Sequence, residues 1–238
     1  MNILVITGTG TGVGKTMVTA ACAALAVDNG QRVAVVKPAQ TGVGPHEPGD
    51  LDEVARFAGK ITTRELRRYP EPLAPDTAAA RAGLPQVHPG EIASVVAELA
   101  AEHDLVLVEG AGGLLVRFDP AGGTLADAAE LLKAPVLVVA SAGLGTLNTT
   151  ELTARELRSR RLDLAGIVIG SWPGSPDLAS RCNVADLPEV AAAPLLGALP
   201  AGAASLAPAD FRTDAPSWLA ARLDGTWDAE AFRGREAP

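Results

Sequence analysis

The chain of 238 residues has only two cysteines, Cys22 and Cys182, far apart and in no CxxC pattern. That scarcity excludes a disulfide scaffold and a zinc knuckle, and it fits a reducing compartment. Cys22 lies in an apolar helical run, so a buried structural thiol is expected there. The three histidines, His46, His88 and His103, are isolated, and no HxxxH spacing offers a zinc site. Aromatic residues make up 3% of the chain, and Trp218 and Trp227 are expected to pack rather than to stack on bases. No long apolar run is present: "ACAALAV" falls well short of the length a bilayer needs. "ILVITG", near the start, is too short for a signal peptide and lacks a basic flank. A net charge of −8 speaks against nucleic-acid binding. The expectation is a soluble, cytoplasmic protein with neither a membrane nor a nucleic-acid partner.

What is present is a regular alternation. The runs 2–7, 32–37, 104–110, 135–141, 164–170 and 193–200 read as strands that are nearly continuous in apolar residues. Such strands suit a sheet covered on both faces. Helical patterns fall between them at about 15–30, 50–59, 90–103, 124–133 and 147–161. Strand–helix–strand order of this kind implies a single-domain, three-layer α/β fold with a mostly parallel central sheet flanked by helices. The domain is expected over 1–223, with 224–238 as a flexible C-terminal tail. The Pro- and Arg-rich stretch 60–90 reads as an ordered surface excursion and a possible wall on the substrate side, with Arg64, Arg67 and Arg68 on a solvated helix face.

"TGTGTGVGKT" follows the first strand and opens the first helix. A loop that wraps a polyphosphate needs inward-facing backbone N–H groups, which glycine permits, and the helix N-terminus adds a favourable dipole. In that reading Gly12, Val13, Gly14, Lys15, Thr16 and Met17 hold the phosphates of ATP or GTP, Lys15 reaches the terminal phosphates and Thr16 ligates Mg²⁺. The context makes this a P-loop NTPase fold. The spacing departs from the common form, because five residues rather than four separate Gly8 from Gly14.

Two further segments end strands at the same edge of the sheet, where doubly wound folds bind ligands. "VEGAGG" places Glu109 there as a second Mg²⁺ anchor, with Gly110, Ala111 and Gly112 allowing close approach of backbone to phosphate. A buried glutamate satisfied by a helix N-terminus is the alternative. "VVKPAQTG" places Lys37 at the end of the second strand, with Pro38 expected to stop it and Thr41 to begin a loop. Asp50, Asp52 and Glu53 then open a helix, where an N-cap explains Asp50 without any metal.

"GTGTGVGKT", "KPAQTG", "EGAGG" and "GLGTLNTT" together resemble the dethiobiotin synthetase family, in order over about residues 2–200, and the long phosphate-loop spacing is that family's own form. The resemblance implies an ATP-dependent cyclo-ligase of biotin biosynthesis. It closes a ureido ring from 7,8-diaminopelargonic acid, CO₂ and ATP, through a carbamate and a carbamic–phosphoric anhydride. It further implies Lys15 and Lys37 as catalytic cations, and Thr16, Asp50 and Glu109 as Mg²⁺ ligands with Asp52 as the second choice to Asp50. Thr41 would meet the amine or carbamate end of the substrate. Leu144, Gly145, Thr146, Leu147 and Asn148 would take the substrate carboxylate of the neighbouring subunit in a homodimer, although a plain helix cap also explains them. Gly170, Ser171, Leu199, Pro200 and Ala201 would surround the base.

The chain departs from the family pattern in two places. Gly12 stands where many relatives carry an acidic residue, and Gly170-Ser171 where many carry Asn-Asp, which bears on base selectivity. The rival reading is a dimeric partition- or targeting-type switch ATPase of the same fold. Those proteins usually carry a lysine at the start of the loop, and residues 8–13 contain none.

Overall fold

The computed structural model describes residues 3–236. Seven strands form one sheet: β1 (Ile3–Gly8), β2 (Val33–Thr41), β3 (Thr62–Tyr69), β4 (Leu105–Gly113), β5 (Val136–Ala140), β6 (Leu164–Trp172) and β7 (Leu195–Pro200). Their order is β3-β2-β4-β1-β5-β6-β7, and every neighbouring pair is parallel. The first helices are α1 (Lys15–Asp28), α2 (Asp50–Ala58), α3 (Pro75–Ala82), α4 (Pro89–Glu102) and α5 (Leu125–Leu132). After them come α6 (Thr146–Ser159), α7 (Leu178–Ala191), α8 (Pro208–Asp214) and α9 (Ala229–Glu236).

The alternation within β1 shows how the layers arise. Leu4 and Ile6 face a core shared with α1, α2 and α8, while Val5 faces the opposite core with α3, α4 and α5. Both faces of the strand are therefore apolar, which is why these strands read as unbroken hydrophobic runs. Each such side chain, fully buried, contributes about 1.5–3 kcal/mol. α1 is buried through Val18–Ala26, and its alanines let it lie close to the sheet. A third core joins α6, α7 and α9 to the ends of β6 and β7.

The topology opens the crevice. The chain leaves β1 toward β2 on one side and leaves β4 toward β5 on the other, although β1 and β4 are neighbours. Loops that diverge from adjacent strands leave a gap at their C-terminal ends, the usual ligand position in such sheets.

Several expectations need correction. Pro38 does not stop β2: pairing with β4 ends at Val36, but pairing with β3 runs on past the proline, with Lys37 opposite Glu65 and Ala39 opposite Arg67. Arg64, Arg67 and Arg68 lie on β3, not on a helix face. β3 is an edge strand, and its charged side chains guard the open edge against further pairing. Residues 224–236 fold back rather than trail: Trp227 and Phe232 are buried, and Phe232 meets Trp172 edge-on at 5.1 Å. The last two residues of the expected tail lie outside the described residues.

Candidate functional site

A cavity of about 760 Å³ opens at the C-terminal ends of β1, β2 and β4. On one side lies the loop 8–14, in which Gly12 and Gly14 take positive φ of 74° and 96° and turn the backbone toward the cavity. Gly14 is the residue before α1, so the first N–H groups of that helix face the same space. Lys15 is buried and donates from Nζ to the Gly10 carbonyl at 3.0 Å, folding its stem back over the loop. Burial and the nearby Lys37 ammonium push its pKa below the ordinary lysine value. Gly12, Thr16 and Met17 reach the cavity beside it. Val13 packs on the core that surrounds α1.

On the other side is a charge cluster built from two strands and a helix. Glu109 is buried on β4, and its Oε1 accepts from Lys37 Nζ at 2.8 Å and from the Thr16 hydroxyl at 3.0 Å. Lys37, buried on β2, also donates to the Gly110 carbonyl at 3.2 Å and forms an ion pair with Asp50. Burial alone would lower the Lys37 pKa, but Glu109 and Asp50 outweigh it and hold the ammonium's pKa above the ordinary value. Glu109 Oε2 is buried and has no hydrogen-bond partner among the described residues. An isolated carboxylate oxygen kept from water is costly and marks a place for a cation or donor.

Asp50 and Asp52 are placed differently. Asp52 Oδ2 accepts from the Gly49 N–H at 2.7 Å and caps α2, whereas Asp50 lines the cavity and meets Lys37. Asp50 is the first residue of the helix, not its cap. The hydroxyl of Thr16 and the carboxylates of Asp50 and Glu109 make an all-oxygen set suited to a hard cation such as Mg²⁺. Among the described residues no group of three or more His, Cys, Asp or Glu could hold a metal ion by itself. A cation here would need phosphate oxygens as well, which is the habit of Mg²⁺ in nucleotide sites.

Thr41, at the end of β2, lines the same cavity, as do Ala111 and Gly112 near the end of β4. Opposite them the excursion supplies an apolar wall of Pro72, Leu73, Ala74 and Pro75, joined by Val116. Thr11, Gln40 and Val116 belong to the cavity but were not picked out from the sequence. For Thr11 and Gln40 the signal was present, since they sit inside the glycine loop and the "KPAQTG" segment; Val116 carries no motif of its own.

The remaining candidates lie elsewhere. Gly170 touches the phosphate loop: a side chain there would run into the Val13 carbonyl. Ser171 is exposed beside it, and Trp172 pairs with Pro200 across β6 and β7, with the Ala201 N–H donating to the Trp172 carbonyl at 2.7 Å. Leu199 is buried in the core with α1. Leu144 and Gly145 precede α6 and residues 146–148 form its first turn, and none of the five lines the cavity of its own chain. Gly145 there has φ 94°, Thr146 is buried, and Leu144 is 94% exposed.

A glycine loop joining β1 to α1, with its Lys and Thr facing a strand-end glutamate, defines a P-loop nucleotide-binding protein of the parallel α/β class. Residues 2–209 match a family model described as an AAA domain. Over its full length the chain is 72% identical to the ATP-dependent dethiobiotin synthetase of Streptomyces avermitilis, covering all of both chains. It is 47% identical to that of Mycobacteroides abscessus, covering 92% of this chain and 98% of that one. The chain belongs to the dethiobiotin synthetase family. Among solved structures, the MinC:MinD cell division complex of Aquifex aeolicus aligns over 100% of this chain and 98% of that chain, with a TM-score of 0.58 at 15% identity. The Pyrococcus furiosus cell division ATPase MinD aligns over 84% of each chain, with a TM-score of 0.53 at 20% identity. Those likenesses show the fold.

Proposed function

We propose that the chain is an ATP-dependent cyclo-ligase that makes dethiobiotin from 7,8-diaminopelargonic acid, CO₂ and ATP. The observation that carries this reading is the Lys37 ammonium, buried between Glu109 and Asp50 beside a phosphate loop and facing an apolar wall. Phosphate binding alone needs no such second half to the cavity. The glycine loop and Lys15 hold the polyphosphate. The wall at Pro72–Pro75 excludes water from the aliphatic stem of a diamine, and Thr41 at the strand end offers a hydroxyl to its amine end.

One amine of the substrate captures CO₂ and loses a proton, giving a carbamate. A carbamate oxygen attacks the γ-phosphorus, and the bond to the ADP oxygen breaks. The second amine then attacks the carbamic carbon, phosphate departs, the new ring nitrogen gives up a proton and the ring closes. Lys15 and Lys37 offset the negative charge around the transferring group, and fixed charges in a dry site need no reorganisation at the moment of reaction. Thr16, Asp50 and Glu109 are the residues that would hold Mg²⁺, and the metal, when bound, would neutralise phosphate charge.

The reading includes a cytoplasmic homodimer in which residues 144–148 act at the partner's site. Two features support it: none of these residues lines the cavity of its own chain, and Leu144 is almost wholly exposed beside a helix N-terminus. Such a terminus suits a carboxylate. Mixing an Asn148→Ala variant with a Lys37→Met variant should restore part of the activity through hybrid dimers. No recovery after demonstrated subunit exchange would refute the shared site. For the reaction itself, phosphate release should rise with the diamine only when bicarbonate is present. A switch ATPase would release phosphate without either.

A further inference from the structure

We infer that Gln40 is a positioning residue that sets the direction of the Asp50 carboxylate, an inference that rests on Asp50 being a metal-side group of the proposed site. The N-cap residue of α2 is Gly49, which has no side chain to take the first N–H groups of the helix, and Asp52 takes only the N–H of Gly49 itself. The first N–H of the helix is that of Asp50, and it would be an orphan donor at a cavity wall. Gln40 takes it: Oε1 accepts from the Asp50 N–H at 2.9 Å, and Gln40 is itself buried. The opposite end of the amide, Nε2, donates to the Thr41 carbonyl at 3.4 Å, which fixes which way the amide faces.

Asp50 is thus held at two points from one strand. Lys37 grips its carboxylate, and Gln40, three positions along β2, grips its backbone. A side chain tied at one end only could swing away from Lys37 when a nucleotide enters; tied at both, it keeps its aim. The neighbouring strand completes the clamp. Arg68 stands opposite Gln40 in register, and its Nη1 donates to the carbonyls of Gly44 at 3.0 Å and Glu47 at 2.5 Å, while Glu65 holds the rest of the guanidinium. A Cβ on Gly49 would stand 2.9 Å from both Gln40 Oε1 and Arg68 Nη2, so a larger residue there would push these two side-chain ends aside.

The test compares Gln40→Met, which keeps the volume but accepts nothing, with Gln40→Glu, which keeps the acceptor. Calorimetric titration of ADP with and without Mg²⁺ gives the readout, with Asp50→Asn run alongside. The inference predicts that Gln40→Met loses about tenfold in ADP affinity with Mg²⁺ and nothing without it, about 1.4 kcal/mol of coupling. Gln40→Glu should stay within about twofold of the parent protein on the same scale, about 0.4 kcal/mol. If Gln40→Met does not fold, a tenfold Mg²⁺-linked loss in Gln40→Glu still overturns the inference. Wild-type coupling in Gln40→Met beside a loss in Asp50→Asn overturns it alone. Wild-type coupling in both overturns the metal-side role of Asp50 as well.

Discussion

Gly14 and Gly170 pack backbone against backbone. Gly14 ends the phosphate loop with φ 96°, and a Cβ placed on it would stand 3.0 Å from the Gly170 Cα and overlap the Gly170 carbonyl. A Cβ on Gly170 would in turn overlap the Val13 carbonyl. The glycine loop is therefore seated directly on the end of β6, and neither partner has room for a side chain.

Gly170→Ala should accordingly weaken nucleotide binding and stability together. Overpacking of this kind costs about 1–3 kcal/mol. Gly170→Asn should behave no better, because the obstruction is the Cβ and not the amide. Thermal unfolding and calorimetric ADP binding check this; a Gly170→Ala protein with unchanged affinity would show that the contact does not hold the loop in place.

The same packing limits how the base is read. Gly170 has no side chain to offer, Ser171 brings only a hydroxyl, and Pro200 lacks an N–H. The Ala201 N–H is already given to the Trp172 carbonyl. Sharp discrimination depends on hydrogen-bond partners that the wrong ligand leaves unpaired. CTP, GTP and UTP are expected to bind within about tenfold of ATP, about 1.4 kcal/mol or less. Competition among the four nucleotides measures it, and a preference for ATP of about a thousandfold, about 4 kcal/mol, would contradict it.

Removing Lys37 should cost stability as well as activity. Glu109 is 1% exposed, and without the ammonium its charge stays buried and unpaired. Losing one partner of a buried pair costs about 3–5 kcal/mol. Lys37→Met alone should therefore be less stable than the Lys37→Met, Glu109→Gln double variant, with both inactive. Chemical denaturation of the two variants decides it; equal stability of Lys37→Met and the parent protein would mean that Glu109 finds another partner.

Much of this arrangement was legible in the sequence, and the reasons are physical. A strand buried on both faces must be apolar throughout, so β1, β2 and β4 to β7 announced themselves, and the glycine loop marked one wall of the candidate site. β3 did not, because an edge strand is written in charged residues, "TTRELRRY". α7 was missed because Pro188 interrupts its last turn and its composition is mixed. Lys37 and Glu109 could be placed at one sheet edge, since strand ends are countable. The bond from the Asp50 N–H to Gln40 could not, because it depends on how the loop 42–49 closes and leaves no periodic trace.

Cys22 should be silent toward thiol reagents in the folded protein. Burial first, and the Asp224 carboxylate second, push its pKa up to about 12, so thiolate is scarce at neutral pH. Cys182 is partly exposed, and it should account for all native labelling by a disulfide reagent, with both thiols reacting in denaturant. Rapid native labelling of Cys22 would show that the core around α1 opens readily.

The central claim is that this cavity joins CO₂ to a diamine at the expense of ATP. The most direct measurement supplies the purified protein with ATP, Mg²⁺, 7,8-diaminopelargonic acid and carbon-13 bicarbonate, and follows product mass and ADP together. The account predicts dethiobiotin carrying the label at its ureido carbon, formed in step with ADP. ATP hydrolysis that proceeds without labelled product, and at the same rate when the diamine is withheld, would contradict it.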